Sequence, residues 1–446
     1  MSAPRPPSVD ALTRRLLTDP SVGHLPRTML VDAARRGIAE DPDHAEDAAI
    51  AVARVVCRRL LVPVINATGT LLHTNLGRAP RSPAQATAAI VPVRGINIEL
   101  DLATGVRGSR HDAVGELLTR LTGAPASLVV NNCAAGLVLV LSAMARGRGV
   151  VVSRGELVEI GGGFRIPDII EQSGCTLIEV GTTNRTRLAD YARAIAEHDV
   201  AVVLKVHPSN YRITGFTEEV GIAELATLGK AVVADLGTGL LDATTPWLAD
   251  RSGTQPDIGW IRAEPSVSSW LAEGADVVIV SGDKLLGGPQ SGMVVGTDDV
   301  IGACSKHPLL RALRPGSLVL EALQATLLTY LHGTVNTLPF WEQALRPVSG
   351  LVTRAEQIAA DVGHPRVTAK HCVSTPGGGT MPDTAIASFG LRIDGSWTEG
   401  LRAWSTPIVA RSADGCTWLD LRTVDPADDG ELTAALRSVL AHSHAR

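Results

Sequence analysis

The stretch ADVVIVSGDKLLGGPQ, residues 275–290, indicates the fold class of the chain. It opens with a short apolar run of the kind that becomes a buried strand. Similar runs recur between residues 61 and 330, and helix-like stretches such as 218–228 separate several of them. Apolar runs that alternate with helices predict a mainly parallel sheet that is covered on both faces. We therefore expect a large α/β domain with seven strands, at 127–130, 150–153, 176–180, 201–206, 231–234, 275–280 and 292–296.

The regions on either side have a different texture. Residues 1–60 carry apolar side chains at helical spacing, and their nine arginines nearly balance eight acidic residues. Residues 331–446 combine predicted strands at 385–393 and 417–422 with a closing helix at 428–442. We predict three domains: a small helical N-terminal domain over 1–60, the large α/β domain over 61–330, and a smaller C-terminal α+β domain over 331–446.

Composition excludes several classes of protein. The formal net charge of −5 argues against a general DNA or RNA binder held by phosphate neutralisation, but not against a protein that reads the shape of one folded RNA. No run of about 18 apolar residues predicts a membrane span, and no apolar leader opens the chain. Six cysteines without C-x-x-C spacing predict reduced thiols, no metal site and a cytoplasmic location.

Lys284 directly follows the apolar run and its Ser-Gly-Asp turn, so we expect it at a strand end, where α/β proteins bind ligands. Ser281, three residues earlier, can reach a phosphate oxygen, and the neighbouring glycines let backbone pass close to a ligand. A lone lysine in such a place is more often a surface side chain beside a turn. The Ser-x-x-Lys spacing together with the glycines favours a lysine that binds a ligand.

Asp235 ends the run 231–234 and is followed by Leu-Gly-Thr-Gly. A carboxylate at a strand end suits the pyridine nitrogen of pyridoxal phosphate (PLP), which it keeps protonated so that the ring accepts electrons. Such an aspartate, taken alone, more often caps a turn. Its combination with the Lys284 motif instead predicts a PLP site, in which Lys284 forms a Schiff base with the cofactor.

The turn after the predicted strand 127–130 supplies polar and small residues in front of an apolar helix at 137–144. Asn132, Cys133 and Ala134 in this turn are candidates for an anion cradle, here for the PLP phosphate. The signal is weak by itself because every α/β fold has strand-to-helix turns. It gains weight only beside the Lys284 and Asp235 motifs.

Two further polar residues follow the predicted strand 201–206. His207 and Asn210 are candidates for contact with the phenolic oxygen of the cofactor. A histidine at a strand end is as often structural as functional, so the residues leave both interpretations of His207 open.

Arginines are concentrated in a few short motifs. Arg78 lies in GRAP, and Arg107 with Arg110 forms RGSR. Arg311 and Arg314 are spaced to share one face of a predicted helix. Paired guanidinium groups suit a phosphate-like anion, although solvated or ion-paired surface arginine is an equal alternative for any one of them.

Several longer motifs resemble those of the bacterial L-seryl-tRNA(Sec) selenium transferases, also called selenocysteine synthases. The resemblance extends from about residue 10 to about residue 440. Its motifs are INATGT (65–70), HTNLGR (73–78), RGSR (107–110), VSRGELVEIGG (152–162), FRIPD (164–168), EVGTTNRT (179–186), KVH (205–207), SNY (209–211), SGDKLLGGPQ (281–290), HPLLRALR (307–314) and LDLRTV (419–424). The chain departs from the family at Cys133, where asparagine is expected, at Pro208, where threonine or serine is usual, and over 100–105.

The resemblance implies a fold type I PLP-dependent transferase that converts L-seryl-tRNA(Sec) to L-selenocysteinyl-tRNA(Sec) with selenophosphate, through a PLP-bound aminoacrylate. It implies that Lys284 binds the cofactor and removes the Cα proton of serine. Arg78, Arg311 and Arg314 are expected to hold the phosphate of the selenium donor. Asp283, or a group bound to an arginine, is expected to assist departure of the serine hydroxyl.

The resemblance also implies that residues 1–60 bind the tRNA and that the chain forms a ring-shaped homodecamer built from dimers. Two alternatives remain. A small-molecule PLP lyase of similar fold, of the β-elimination or ammonia-lyase type, needs no N-terminal segment of this kind. A non-catalytic tRNA-binding protein needs neither Lys284 nor Asp235.

Overall fold

The computed structural model describes residues 6–90, 95–160, 163–248, 258–377, 379–381 and 383–441. Two glycines of the VSRGELVEIGG motif, Gly161 and Gly162, lie outside these ranges, as does residue 442 of the predicted closing helix. Within the described ranges, no helix is long and apolar enough to cross a bilayer.

The N-terminal region forms three helices, α1 (Val9–Thr18), α2 (Arg27–Glu40) and α3 (Ala45–Cys57), as predicted. The Ser8 side chain caps α1 by accepting a hydrogen bond from the Ala11 amide. Helices α2 and α3 pack closely at Gly37 because glycine has no side chain. A Cβ at this position would stand only 2.5 Å from the backbone nitrogen of Ala49. The helices enclose an apolar core of their own, separate from the other cores.

The middle region alternates helices and strands as expected. Its helices are α4 (Pro83–Ile90), α5 (Asp112–Thr122), α6 (Cys133–Ala145), α7 (Ile166–Gln172), α8 (Leu188–Glu197), α9 (Ile222–Ala226), α10 (Val267–Ala272), α11 (Asp298–Lys306), α12 (Leu309–Leu313) and α13 (Ser317–Leu331). Its strands are β1 (Ile65–Asn66), β2 (Ala126–Val130), β3 (Gly149–Ser153), β4 (Glu159–Ile160), β5 (Phe164–Arg165), β6 (Thr176–Val180), β7 (Val200–Val206), β8 (Ala231–Gly237), β9 (Val277–Ser281) and β10 (Gly292–Gly296).

Seven of these strands form one sheet in the order β2-β10-β9-β8-β7-β3-β6. Strand β10 runs antiparallel to both of its neighbours, and the other adjacent pairs are parallel. Separate apolar clusters cover the two faces, one including α5 and α13 and the other α6 and α11. The prediction of a seven-stranded, mainly parallel sheet is confirmed.

Two local boundaries differ from the sequence prediction for identifiable reasons. The helix expected at 218–228 covers only Ile222–Ala226, because the Glu218 backbone bonds to Asn184 and Thr186 in a bridge beside the β6 loop. Helix α6 begins four residues before the expected position 137, because the Asn132 side chain accepts a hydrogen bond from the Ala135 amide at 2.9 Å and caps the helix.

The C-terminal region contains the helices α14 (Pro339–Leu345), α15 (Val348–Val362), α16 (Thr398–Arg402) and α17 (Asp429–Ala441). Its strands are β11 (Val367–Ser374), β12 (Ile386–Asp394), β13 (Ile408–Val409), β14 (Arg411–Ala413) and β15 (Cys416–Asp420). An antiparallel sheet, in the order β11-β12-β15-β14, packs against α15 and α17. This is the expected α+β arrangement.

The apolar cores cross the predicted domain boundaries at two places. Strand β1 pairs with β13, so Ile65 packs in the C-terminal core. Phe340 and Trp341, from α14, pack in the core of the large region instead. The division into three domains remains a prediction. These contacts show where a segment of one predicted domain packs into the core of another.

Candidate active site

The predicted site residues lie at one edge of the large sheet. Strands β2, β7, β8 and β9 all run in the same direction, so the turns that follow them meet at their carboxyl ends. A cavity of about 240 Å³ opens there. Nine of the predicted residues line it: Arg78, Asn132, Cys133, Ala134, His207, Asp235, Ser281, Asp283 and Lys284.

Lys284 is buried in the loop that joins β9 to β10. The Gly282 amide donates to Ser291 at 2.9 Å, and the Leu285 amide donates to Thr238 at 2.9 Å, so both ends of the turn are fixed. The lysine is 4% exposed, and its Nζ donates a hydrogen bond to the Gly379 carbonyl at 3.1 Å. Burial lowers the pKa of Lys284, which favours the neutral amine that reacts with an aldehyde.

Asp235 lies inside β8, which extends beyond the predicted end at residue 234. Its carboxylate is buried, and Oδ1 lies 3.3 Å from the Cys133 thiol, which donates to it. Burial raises the pKa of Asp235, and the thiol opposes that rise. A buried carboxylate of this kind calls for a cationic partner, which the protonated pyridine nitrogen of PLP would supply.

Gly237 keeps the space between these two groups open. Its φ of +71° is left-handed, and a Cβ there would stand 3.7 Å from Lys284 Nζ and 3.8 Å from Asp235 Oδ1. Any larger side chain would therefore fill the gap between amine and carboxylate. The gap suits a flat ring that contacts both groups.

The N-terminus of α6 forms the remaining wall. The first backbone N–H groups of a helix have no partner within the helix and carry partial positive charge. Cys133 and Ala134 begin this helix and line the cavity together with Ser281. A buried lysine, a buried carboxylate and a helix N-terminus beside a serine hydroxyl fit the aldehyde, the pyridine nitrogen and the phosphate of PLP.

His207 lies in the wall of this cavity. Its backbone amide donates to the Asp235 carbonyl at 2.9 Å, and its ring contacts Trp270 edge-on. Nε2 stands 3.1 Å from the carboxylate of Glu264. Glu264 was missed in the sequence, because it comes from a stretch before α10 with no periodic pattern.

Asn210 does not line the cavity, although the sequence predicted that it would contact the cofactor. Its amide nitrogen donates to the Glu159 carbonyl at 2.9 Å, which ties the loop after β7 to the β4–β5 hairpin. Ser209 lines the cavity in its place, together with Gln290 and Ser291. Nothing in the sequence pattern separates Ser209 from Asn210.

Arg78 and Asp283 form an ion pair at the rim, with Nη1 and Oδ2 3.1 Å apart. Arg78 has a left-handed φ of +62°, and the next amide, that of Ala79, donates to the Asp283 carbonyl. The pair is mostly shielded from water, with 26% of the arginine and 8% of the aspartate side chain exposed. A fixed cation therefore stands beside Lys284.

Arg311 and Arg314 do not share a helical face, so that prediction was wrong. Helix α12 ends at Leu313, and Arg314 is extended, because the Leu313 carbonyl accepts from the Asn131 amide of the cradle turn. Neither arginine lines the cavity. Arg314 lies 3.3 Å from Glu99, whereas Arg311 is exposed.

Glu99 gathers three arginines. It binds Arg110 at 2.7 Å and Arg107 at 2.7 Å, as well as Arg314. Arg110 is the largest cause that holds the pKa of Glu99 below its ordinary value, so the carboxylate stays ionised. The cluster joins the RGSR motif to the segment after α12.

Known proteins resemble this chain in sequence and in fold. Residues 64–425 match the family model for L-seryl-tRNA selenium transferase. The chain is 44% identical to the L-seryl-tRNA(Sec) selenium transferase of Moorella thermoacetica, over 86% of this chain and 83% of that protein. It is 41% identical to that of Desulfomicrobium baculatum, over 98% of each chain.

Among solved structures, D-glucosaminate-6-phosphate ammonia-lyase resembles it with a TM-score of 0.58 at 22% identity, over 86% of this chain and 97% of that one. A likeness at this identity concerns the fold alone. The architecture is that of the fold type I PLP-dependent enzymes, and PLP is the cofactor that the site residues fit. The family match covers most of the described chain and includes every element of the cavity, so the chain belongs to the L-seryl-tRNA selenium transferase family.

Proposed function

We propose that this protein is a PLP-dependent enzyme that converts L-seryl-tRNA(Sec) to L-selenocysteinyl-tRNA(Sec), with selenophosphate as the selenium donor. The observation that carries the proposal is the buried Lys284 facing Asp235 across the gap at Gly237, in a chain of this family. The names of its relatives support the tRNA substrate. The selenium donor and a homodecamer built from dimers are proposals that come from the resemblance, and the cytoplasmic location is a proposal that comes from the cysteine pattern.

Lys284, Asp235 and the cradle at α6 would hold the cofactor. When bound, PLP accepts the electron pair left behind after loss of a proton from the serine Cα. Asp235, kept as a carboxylate, would balance the positive charge of the protonated ring nitrogen. Ser281 and the amides of Cys133 and Ala134 would bind the phosphate.

Lys284 would also act as the base. The lowered pKa of Lys284 favours the neutral amine, the form that would accept the serine Cα proton. The lysine would then pass the same proton to the β-hydroxyl, which would leave as water. The Asp283 carboxylate, paired with Arg78, would orient the departing hydroxyl.

Arg78, Arg311 and Arg314 are proposed to bind the phosphate of selenophosphate. Two of them already have carboxylate partners, Asp283 and Glu99. A guanidinium group has five N–H donors, so it can keep one such partner and still bind an anion. The exposed Arg311 has the greatest freedom to move toward the donor.

Replacing Arg311 or Arg314 by alanine should leave dehydration of seryl-tRNA intact and slow the addition of selenium. Loss of one charge-assisted contact should lower the selenophosphate kcat/KM by roughly tenfold to a hundredfold. Loss of hydroxyl from seryl-tRNA and appearance of selenocysteine are measured separately. Arg120→Ala, which breaks an exposed ion pair with Glu116 on α5, is the matched control. Variants that fail to dehydrate seryl-tRNA would place these arginines earlier in the reaction.

The N-terminal helices are proposed to bind the tRNA. Four of their arginines are exposed and paired with acids: Arg14 with Asp10, Arg15 with Glu46, Arg35 with Asp32 and Arg36 with Glu40. Exposed pairs of this kind are weak, so they can exchange an acid for a phosphate at little cost. The net charge of the domain is close to zero, so general electrostatic attraction to RNA is weak. The domain would therefore select the tRNA by its shape.

Deletion of residues 1–60 should leave the cofactor absorbance unchanged and weaken binding of selenocysteine tRNA by at least about tenfold. The three helices have their own apolar core, so their removal leaves the other cores intact. Binding is measured by filter retention at near-physiological salt, with serine tRNA as the control. Equal binding by the truncated and full chains would refute the tRNA role of this domain.

The complete proposal is tested by incubating the PLP-loaded protein with seryl-tRNA(Sec) and selenophosphate, and then releasing the amino acid by alkaline hydrolysis. Selenocysteine should appear, and serine attached to ordinary serine tRNA should remain. Failure to bind the tRNA, together with elimination from a free amino acid or amino sugar acid, would identify the small-molecule lyase instead.

A further inference from the structure

A second cavity lies beside the cofactor cavity. It has a volume of about 360 Å³, and His207 belongs to the lining of both. Loops that follow β3, β6 and β7 form most of its wall at the same edge of the sheet. The two cavities are therefore neighbours across one imidazole ring.

The position of this cavity matters because of the length of the proposed substrate. A seryl group is only a few bonds long, and its amino group must reach the aldehyde carbon held by Lys284. The ribose that carries the serine ester must then lie directly beside the cofactor cavity. The cavity across His207 meets that requirement.

Glu264 supplies the most specific feature of the lining. The residue is 7% exposed, and its buried Oε1 accepts no hydrogen bond. That oxygen stands 3.1 Å from His207 Nε2, but without hydrogen-bond geometry. A buried carboxylate oxygen without a donor is unfavourable, so it calls for a donor from a ligand. Carboxylates in α/β nucleotide sites bind ribose hydroxyl groups in this way.

The rest of the lining suits an uncharged nucleoside. Four glutamates and two arginines line the cavity, so its charge does not favour a phosphate group of the kind proposed for the cofactor cavity. Thr182, Thr183 and Asn184 add neutral hydrogen-bonding groups. Trp260 is half-buried and presents an aromatic ring, the surface on which nucleic acid bases stack.

We infer that this second cavity binds the 3′-terminal adenosine of the seryl-tRNA. Glu264 accepts a hydrogen bond from the ribose 2′-hydroxyl, and Trp260 stacks on the base. The ester at the 3′-oxygen then points past His207 into the cofactor cavity. The inference rests on the proposed function and adds to it the residues that place the acceptor end.

The test uses the PLP-loaded full chain and two substrates, seryl-tRNA(Sec) and the same tRNA with a terminal 2′-deoxyadenosine. For the unmodified protein, loss of the 2′-hydroxyl should lower kcat/KM by roughly tenfold or more, the usual effect of a hydrogen bond to a charged group. Glu264→Ala should show a similar loss with the normal tRNA and little further loss with the deoxy tRNA. Losses that multiply independently would overturn the role of Glu264.

A second measurement does not depend on turnover. Adenosine and 2′-deoxyadenosine are tested for binding to the same holoenzyme by ligand-observed NMR. The protein should prefer the ribonucleoside, Glu264→Ala should lose the preference, and Trp260→Ala should weaken the binding of both nucleosides about tenfold or more. Unchanged cofactor absorbance shows that each variant is folded.

The two outcomes separate the inference from the proposed function. If the protein prefers the ribonucleoside through Glu264 but never forms selenocysteine, the nucleoside site stands and the proposed reaction is refuted. If the protein forms selenocysteine but treats both tRNAs and both nucleosides alike, the reaction stands and the nucleoside site is refuted.

Discussion

Replacement of Lys284 by alanine is expected to remove the visible absorbance of lysine-bound PLP and all measurable turnover. The chain has five lysines, Lys205, Lys230, Lys284, Lys306 and Lys370. Two of them are buried, and one of these, Lys205, is held by Glu156 at 2.8 Å. Lys284 is therefore the buried amine that faces an open cavity. Loss of a general base alone costs roughly 10²–10⁴ in rate, and loss of the covalent attachment adds to this.

Absorbance spectra and borohydride reduction followed by peptide mass analysis check this prediction. Reduction of the unmodified protein should label the peptide that contains Lys284. Lys306→Ala, at the exposed end of α11, is the matched control and should retain spectrum and activity. A Lys284→Ala protein that still carries reducible cofactor would show that another lysine binds PLP.

Asp235→Asn should retain part of the PLP but lose Cα deprotonation by roughly 10²–10³, the effect of removing one preorganised charge from a reacting centre. The amide oxygen can still accept from the Cys133 thiol, so the local packing is preserved. It cannot balance a protonated ring nitrogen, and the cofactor then accepts electrons poorly.

Solvent deuterium exchange at the serine Cα measures this step directly. The control is Asp276→Asn, which alters a carboxylate directly before β9 that accepts from the Val232 amide and does not line the cavity. It should exchange at the normal rate, provided the sheet is intact. Normal exchange in Asp235→Asn would remove Asp235 from the role of ring partner.

The sequence was most informative where strands are buried on both faces. Such strands consist almost entirely of apolar residues, so their number and order of appearance could be read before the structure was known. The polar residues at or just after their carboxyl ends, such as His207, Asp235 and Lys284, then had to meet at one edge. Nine of the twelve predicted site residues line the cavity, and all of these except Arg78 lie at or just after a strand end.

Contacts between distant segments could not be read in this way. The ends of short helices depend on such contacts, and Arg314 left α12 because the neighbouring Leu313 carbonyl bonds to Asn131. The pairing of β1 with β13 joins segments with no shared pattern. Glu264 lies in irregular chain, where spacing carries no information on the direction of a side chain.

The antiparallel strand β10 has a consequence for how the protein is made. It stands between β9, which leads to Lys284, and β2, which leads to the phosphate cradle, and it pairs Gly292 with Val130 across 162 residues of chain. Closing so long a loop is slow, and until then β2 keeps an unpaired edge open to other chains. In a nascent chain, the phosphate cradle and Lys284 can therefore come together only after about two thirds of the chain has left the ribosome. PLP can therefore bind only after this strand has been synthesised. Chains truncated before β10 are expected to aggregate and to lack the visible absorbance of bound PLP.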